Sequence, residues 1–332
     1  MRSTIRIGTR ESELAVWQAT LVKDMLASHG HAAELVFIKS EGDIDLKTPL
    51  YEMGVQGIFT RSLDIALLNN KVDIAVHSMK DVPIQLPAGI VQAAVLERGN
   101  YRDLFVFKSE WPLVNGEKPG QSNYLEAFYN SLRSAKDSPI TIQHSPLTVA
   151  TSSIRRKAQW LHRYPGHAIE NLRGNVNTRL RKLAESDWTG AIFAAAGLER
   201  IGLRPANSIE LDWMLPAPAQ GAIMVVCRHD DEHSIKATSN LNHKETELCT
   251  KVEKDFLKTL MGGCSTPISA LAQTDKNDIY FRGSILTTDG KQKVEIEKYV
   301  QKDNLEDFGN KMAIELLNNG GKEIADMISN GK

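Results

Sequence analysis

Cysteine is scarce in this chain of 332 residues. Only Cys227, Cys249 and Cys264 occur, and none of them stands in a CxxC pair or beside a histidine-rich stretch. This spacing argues against a zinc-binding motif and against a disulfide framework. We therefore predict no metal site, and each cysteine has to be explained singly.

Long apolar runs are also missing. No stretch of about 18 apolar residues occurs, and residues 1–6 lack the apolar segment of a signal peptide. Neither a membrane span nor an export signal is indicated. We expect a cytoplasmic protein that does not associate with membranes.

An excess of charge of either sign is absent as well. The chain has 40 Lys and Arg against 41 Asp and Glu, which gives a net charge of −1 at pH 7. This balance gives no general attraction for nucleic acid, so we predict no nucleic-acid partner. Hydrophobic residues make up 42% and charged residues 24%, as in an ordinary globular protein. The length is sufficient for two or three domains.

One segment departs from this charge balance. Residues 152–182 contain a single acid, Glu170, against two lysines and six arginines. The basic residues are Lys157, Lys182, Arg155, Arg156, Arg163, Arg173, Arg179 and Arg181. Arginine favours planar, bidentate recognition of carboxylate or phosphate groups. The segment therefore predicts an anion-binding surface, and a solvated basic face is the plainer alternative.

The first part of the chain alternates between strand and helix patterns. Strands are predicted at 5–7, 34–38 and 72–76, and helices at 59–68 and from Ser12, as the N-cap, to about residue 30. A strand at 222–227 is expected to return to this unit. Such alternation predicts a parallel sheet with helices on both faces and ligands at the carboxyl ends of its strands.

A second unit repeats the pattern, and a third differs from it. Strands at 147–150 and 190–195 flank a helix that begins near Ile154, and residues 215–218 are the expected crossover back to the first unit. From residue 244 a long helix is followed by strands at 269–273, 279–286 and 293–299 and a helix at 305–318. Residues 115–145 are rich in Gly, Pro, Ser, Asn and Lys, which predicts a mobile surface insertion.

Cys264 has unusual neighbours. Residues 261–267 read Met-Gly-Gly-Cys-Ser-Thr-Pro. A glycine pair permits backbone angles that other residues resist, and Pro267 stops a helix from running through. The pattern predicts a thiol on a loop, suited to a covalent anchor, and a small buried hydrophobe is the alternative.

With this turn, three upstream motifs resemble the porphobilinogen deaminase family, also called hydroxymethylbilane synthase. They are His-Ser-Met-Lys-Asp at 77–81, Thr-Ser-Ser-Ile-Arg-Arg at 151–156 and Leu-Arg-Gly-Asn-Val-Asn-Thr-Arg at 172–179. The resemblance runs from about Ile5 to the C-terminal helix. It implies two periplasmic-binding-protein-like α/β domains facing a cleft, plus a small α+β C-terminal domain. The implied domains are 1–108 with 218–242, 109–217 with an insertion at about 109–147, and 243–332.

The resemblance also implies a function. Members are transferases of tetrapyrrole (haem) biosynthesis that deaminate four porphobilinogen molecules and join them head to tail on a dipyrromethane primer, releasing hydroxymethylbilane and ammonia. The primer is implied to be linked through a thioether to Cys264. We expect a monomer that takes porphobilinogen as its substrate and hands its product to uroporphyrinogen-III synthase.

The implied catalytic residues are Asp81, Arg10 and Lys80. A carboxylate in a cleft stabilises cationic pyrrole species and moves protons, and a neighbouring lysine keeps it ionised. A helix N-cap is the alternative role of Asp81.

The resemblance assigns the remaining site residues to two overlapping sets. The implied cofactor-binding residues are Cys264, Asp81, Lys80, Ser78, Thr151, Ser153, Arg155, Arg156, Arg173 and Gly174. The implied substrate-binding residues are Arg10, Ser12, Gln18, Arg155, Arg173, Arg179, Arg200 and Gln220. Each porphobilinogen carries two carboxylates, so many cations are needed in the cleft.

The chain departs from the usual family pattern in three places. Gln56 stands where a lysine is common, Pro218-Ala219 precedes the Gln-Gly pair in place of Val-Gly, and Met261 replaces a glutamate. None of these changes touches Cys264, Asp81 or the arginine pair 155–156.

Two other functions remain open on the sequence. A non-catalytic solute-binding protein shares the two-domain cleft architecture. A nucleotide-binding enzyme would use Gly54-Val55-Gln56-Gly57 as a phosphate loop, but no Lys-Ser or Lys-Thr follows.

Overall fold

The computed structural model describes residues 4–39, 60–108, 128, 130–133, 147–260 and 266–330. The strands are β1 (Ile5–Thr9), β2 (Ala33–Phe37), β3 (Ile74–Ser78), β4 (Ile90–Val95), β5 (Asp103–Phe107), β6 (Thr148–Ala150), β7 (Ala168–Glu170), β8 (Gly190–Ala194), β9 (Ser208–Glu210), β10 (Ile223–Arg228), β11 (Ile268–Asp275), β12 (Asp278–Leu286) and β13 (Lys293–Gln301). The helices are α1 (Glu13–Ser28), α2 (Arg61–Leu68), α3 (Ile154–Arg163), α4 (Val176–Glu185), α5 (Ala195–Glu199), α6 (Glu232–Thr238), α7 (Lys244–Thr259), α8 (Phe308–Leu316) and α9 (Lys322–Ser329).

These strands form two five-stranded sheets and one three-stranded sheet, so the fold is α/β with a small α+β C-terminal part. The first sheet has the order β2-β1-β3-β10-β4. Strands β1, β2 and β3 are parallel, whereas β10 runs antiparallel to both β3 and β4. The predicted parallel pairing is confirmed for β1, β2 and β3, whereas β10 departs from it. The chain reaches β10 from the second sheet, and so it enters the first sheet from the opposite end.

The second sheet has the order β7-β6-β8-β5-β9. Strand β5 pairs antiparallel with β8 and β9, while β6 is parallel to β7 and β8. The sequence places residues up to 108 in the first domain, but β5 belongs to the second sheet. The crossover lies earlier, where Gly221, at φ +89°, packs closely on the backbone oxygen of Gly99.

Part of the expected surface insertion lies inside the second core. Phe128 and Leu132 have no exposed surface and belong to the cluster around Phe105 and Trp160. The Ser131 carbonyl accepts a 2.7 Å hydrogen bond from Arg163 Nη2. These residues are anchored by burial, which contradicts the prediction of a mobile surface segment for this part of the insertion.

The third sheet, β11-β12-β13, is fully antiparallel and is covered by α7 and α8. Gly283 lets β12 approach α7, because a Cβ there would lie 2.5 Å from the Phe256 ring. The predicted helix at 305–318 begins at Phe308, and after a turn with Gly320 at φ +102° the unpredicted helix α9 follows. Within the described ranges, none of the helices has the length and apolarity of a membrane span.

Candidate functional site

A cavity of about 360 Å³ lies between the first and second sheets. Its wall on the first sheet is formed by segments that follow β1 and β3. Its wall on the second sheet is formed by segments that follow β6 and β8, together with the start of α4. The cavity therefore occupies the carboxyl ends of strands in both sheets, where α/β folds bind their ligands.

Most of the predicted site residues line this cavity. They are Arg10, Ser12, Ser78, Lys80, Asp81, Ser153, Arg155, Arg156, Arg173, Gly174, Arg179, Arg200 and Gln220. Gln18 and Thr151 lie behind the wall. Gln18 donates a 2.9 Å hydrogen bond to the Ser78 hydroxyl, and the Thr151 hydroxyl accepts one from the Ser153 amide.

The N-terminal ends of helices α3 and α4 line the cavity. Ser153 is the N-cap of α3 and accepts a hydrogen bond from the Arg156 amide at 3.4 Å. Asn175 caps α4 by accepting a 2.9 Å bond from the Thr178 amide. Gly174 has φ +115°, and a Cβ there would lie 2.6 Å from the Thr178 side chain. Capping by these short polar residues fixes where each helix begins.

One buried carboxylate, Asp103, holds the adjacent arginines of α3. Arg155 Nη2 donates to Asp103 Oδ2 at 2.7 Å, and Arg156 donates to Oδ1 from Nη2 at 2.7 Å and from Nε at 3.1 Å. Burial alone would raise the pKa of the Asp103 carboxyl, but Arg155 and Arg156 lower it to about 2. Backbone carbonyls of Leu215 and Ile192 accept further bonds from the two guanidinium groups.

Gln220 connects this cluster to the opposite wall. Its Nε2 donates to Asp103 Oδ1 at 2.9 Å and to the Tyr101 carbonyl at 2.7 Å, while its Oε1 accepts a 3.5 Å bond from Lys80 Nζ. Burial lowers the pKa of Lys80 to about 8, an effect that the neighbouring Asp81 opposes. Asp81 itself ends a short 3-10 turn, Met79–Asp81, and its carboxylate accepts no hydrogen bond from the described residues.

Arg179 and Arg200 form no salt bridge with any acid in the described part of the chain. Arg179 Nε donates to the Gly174 carbonyl at 2.7 Å, and Arg200 Nη2 donates to the Gly221 carbonyl at 2.6 Å. The Arg200 guanidinium also lies 5.7 Å from the centre of the Trp17 ring. Burial lowers the pKa of each arginine to about 10. Both remain charged at neutral pH and, without a salt bridge to a described acid, bring positive charge to the cavity.

Cys264 lies outside the described residues, but both flanks of its turn are described. Leu257 on α7 and Thr266 beside β11 line the cavity. The other two cysteines are buried, and burial raises the pKa of Cys227 to about 11 and of Cys249 to about 12. Neither is suited to act as a nucleophile at neutral pH. The predicted phosphate loop at 54–57 and Gln56 also lie outside the described residues.

Two buried acids were missed by the sequence reasoning. Asp103 belongs to no motif, and nothing in its local sequence indicates three cleft partners. Glu253 is fully buried on α7 and accepts bonds from Arg98, from the Ala219 amide and from the Ala272 amide. The burial of Glu253 could have been predicted from the sequence, because it lies on the apolar face of α7 with Cys249, Val252 and Phe256.

Comparison with known proteins covers almost the whole chain. Residues 5–236 match the family profile described as porphobilinogen deaminase, dipyromethane cofactor binding domain, and residues 247–318 match that of the porphobilinogen deaminase C-terminal domain.

Several solved structures of binding proteins are similar to this chain at low identity. The methionine-binding protein MetQ is 14% identical, with 72% of this chain and 89% of that chain covered and a TM-score of 0.41. The periplasmic VFT2 domain of Bordetella pertussis BvgS is 10% identical, with coverages of 73% and 90% and a TM-score of 0.36. The periplasmic sulfonate-binding protein SsuA from Methylobacillus flagellatus KT is 13% identical, with coverages of 76% and 68% and a TM-score of 0.35. Likeness at this level carries no conclusion about ligand or activity.

Proposed function

The chain belongs to the porphobilinogen deaminase family, whose members are hydroxymethylbilane synthases, and from that premise we propose how its residues divide the reaction. The enzyme is a transferase that joins four porphobilinogen molecules head to tail on a dipyrromethane cofactor. Cys264 holds that cofactor, Asp81 performs the chemical step, and the cleft arginines bind the acetate and propionate groups.

The observation that carries this assignment is the meeting of opposite charges in one cavity. Asp81 and Lys80 reach it from the end of β3, and arginines reach it from the opposite sheet. A substrate with two carboxylates and a developing positive charge on its pyrrole ring needs both kinds of group. The arginines neutralise the carboxylates, and Asp81 stabilises the ring cation.

The described residues fit a dipyrromethane, which carries two carboxylates on each ring. Arg179 and Arg200 have no described acid as a partner, and Arg155 Nε is buried without a hydrogen-bond partner among the described groups. These donors remain available for ligand carboxylates. When bound, the cofactor supplies the acceptor to which the first porphobilinogen is joined. Its attachment to Cys264 is supported by Leu257 and Thr266, which line the cavity on both sides of the cysteine turn.

Asp81 has the position and the free acceptor atoms needed for proton transfer. Its carboxylate is partly exposed and accepts no hydrogen bond from the described residues, so both oxygens are available to the substrate. Asp81 gives a proton to the amine as the carbon–nitrogen bond breaks, and the amine departs as ammonia. It takes a proton back from the acceptor ring carbon, which loses its hydrogen when the new carbon–carbon bond forms. Lys80, Arg10 and Ser12 hold the incoming substrate beside it, and Gln18 orients the Ser78 hydroxyl.

The domains that follow from this arrangement are 1 to about 100 with 218–242, about 100–217, and 243–332. The strand content of the three sheets supports these bounds. We further propose that the enzyme is a cytoplasmic monomer that delivers hydroxymethylbilane to uroporphyrinogen-III synthase, because the linear product is the substrate of the next ring-closing reaction.

The test is the intact mass of protein purified from cells. The wild-type mass is expected to exceed the sequence mass by two porphobilinogens less two ammonias, and Cys264→Ser is expected to abolish that excess. Cys249→Ser is the matched control, because this buried thiol has a raised pKa and should leave the excess unchanged. An unmodified mass in active wild-type enzyme would overturn the proposal. It would also reopen the solute-binding alternative.

A further inference from the structure

Asp103 lies one layer behind the cavity wall, and among the described residues its carboxylate is bonded to side chains that line the cavity. The carboxylate has no exposed surface at the first residue of β5. Its three side-chain partners, Arg155, Arg156 and Gln220, all line the cavity. A group placed in this way does not line the cavity itself, but it sets the positions of three groups that do.

We infer that Asp103 is a positioning residue of the cleft, which fixes the arginine pair of the second sheet and, through Gln220, the Lys80 ammonium of the first. This role rests on the proposed function, in which the arginine pair binds ligand carboxylates. It concerns the arrangement of donors before the ligand arrives.

The physical need for such a carboxylate comes from the arginine pair itself. Two adjacent guanidinium groups on α3 are both buried, at 4% and 5% exposure, and they repel each other. One carboxylate between them offsets part of that repulsion, and its three bonds of 2.7–3.1 Å leave little freedom to either side chain. Because donors held in place lose little entropy when a ligand binds, the fixed pair binds carboxylates more tightly than a mobile pair would.

Gln220 connects Asp103 to the wall of the cavity that carries Asp81. Its amide nitrogen is bonded to Asp103, and its amide oxygen accepts from Lys80 Nζ. Lys80 has no other hydrogen bond to a described residue. The position of the lysine beside Asp81 is therefore set from the second sheet, by a chain of two hydrogen bonds that crosses between the sheets.

The test compares two carboxylates that each bind two arginines. Asp103→Asn keeps the shape and removes the charge. Asp73→Asn is the matched control, because Asp73 pairs with Arg6 and Arg228 away from the cleft. Thermal unfolding, the loaded fraction by intact mass, and kcat and KM of the loaded protein are measured at a temperature at which both variants are folded. For Asp103→Asn we expect loading to fall and KM to rise on the order of 10-fold, the effect of weakening one charge-assisted contact. Asp73→Asn should lower the unfolding temperature and leave loading and KM within about twofold.

A second variant keeps the inference testable if Asp103→Asn does not fold. Gln220→Met leaves the ion pairs intact and removes the link to Lys80, so kcat should fall roughly 10-fold while loading stays normal. Wild-type kcat in Gln220→Met, or normal loading and KM in folded Asp103→Asn, would overturn the inference. Arg155→Leu and Arg156→Leu distinguish a failure of the proposed function from a failure of the positioning role of Asp103. If both load and turn over normally, the proposed function fails, whereas if they fail beside a normal Asp103→Asn, only the positioning role is lost.

Discussion

The two walls of the cleft are built from similar strand and helix units, yet they hold their polar groups in opposite ways. On the second sheet, Arg155 and Arg156 are fixed by a buried carboxylate and by backbone carbonyls. On the first sheet, Asp81 accepts no hydrogen bond from the described residues, and Lys80 makes a single bond of 3.5 Å.

The proposed function gives a reason for this difference. Carboxylate groups of the ligand do not change during the reaction, so the donors that bind them gain from being rigid. The group that exchanges protons has to change partners, and a carboxylate already saturated by protein donors would resist protonation. In the proposed function, the wall that binds the carboxylates is therefore ordered in advance, and the wall that carries Asp81 is completed by the ligand.

The largest effect is expected when the negative charge of Asp81 is removed. Asp81→Asn is expected to lower kcat on the order of 10²-fold or more, roughly 3 kcal/mol, because a charge stabiliser placed at the ring cation is lost. The unfolding temperature should change little, because this carboxylate accepts no hydrogen bond from a described residue and offsets only part of the cost of burying Lys80. The measurement is single-turnover formation of the first adduct in loaded protein, and near-normal turnover would refute the assignment.

The second largest effect concerns stability, and it distinguishes an arginine that is bonded to Asp103 from one that is not. Arg156→Leu removes two bonds to Asp103 and one to the Ile192 carbonyl, and we expect a loss of about 2 kcal/mol in unfolding free energy. Arg179→Leu removes a single bond to a carbonyl and also a partly buried cation that forms no salt bridge with a described acid, so its effect on stability should be near zero.

Denaturant unfolding of the two variants side by side measures this difference. Arg156→Leu should load the cofactor poorly and Arg179→Leu should bind substrate poorly, because each variant loses a guanidinium in the cavity. Equal destabilisation by Arg156→Leu and Arg179→Leu would show that the Asp103 cluster does not distinguish the arginines energetically.

The sequence predicted the groups that lie at strand ends and failed for those that depend on distant partners. The motifs at 77–81 and 151–156 follow short apolar strands, and ligands gather at the carboxyl ends of parallel strands, so each motif could be expected at the ligand-binding edge of its own sheet. Asp103 could not be found in this way. Its partners are 52, 53 and 117 residues away along the chain, and no local pattern encodes such distances.

The same limit explains the errors in the fold. Strand β10 has the apolar pattern of a buried strand, which fixes neither its direction nor the end from which the chain enters the sheet. Phe128 and Leu132 lie in a polar, glycine-containing stretch whose composition is typical of a surface loop. Two apolar residues on one side of a short helical segment are enough to anchor it, because the aromatic cluster of the second core has room for them.

The smallest expected effect tests the cost of holding Lys80 in the cleft without a strong partner. The pKa of Lys80 in the folded chain is about 8, below the ordinary lysine value of 10.5, because burial disfavours the charged form. The positive charges of Arg155 and Arg156 lower this pKa further, and the negative charges of Asp81 and Asp103 raise it. Below pH 8 both the folded and the unfolded chain carry the proton, so the full cost is present. Between pH 8 and 10.5 the unfolded chain binds more protons, and stability contributed by this group rises with pH.

Lys80→Met should therefore raise the unfolding free energy at neutral pH, by on the order of 1 kcal/mol because the side chain is partly exposed and water screens the charge. The gain should shrink as pH rises from 8 and vanish near 10.5. Lys251→Met is the control, because that lysine is 67% exposed on α7 and its surface pair contributes little. Unfolding temperatures of both variants relative to wild type, measured across this pH range, decide the matter. A gain that does not change with pH would mean that Met improves packing and that the charge of Lys80 costs the fold nothing.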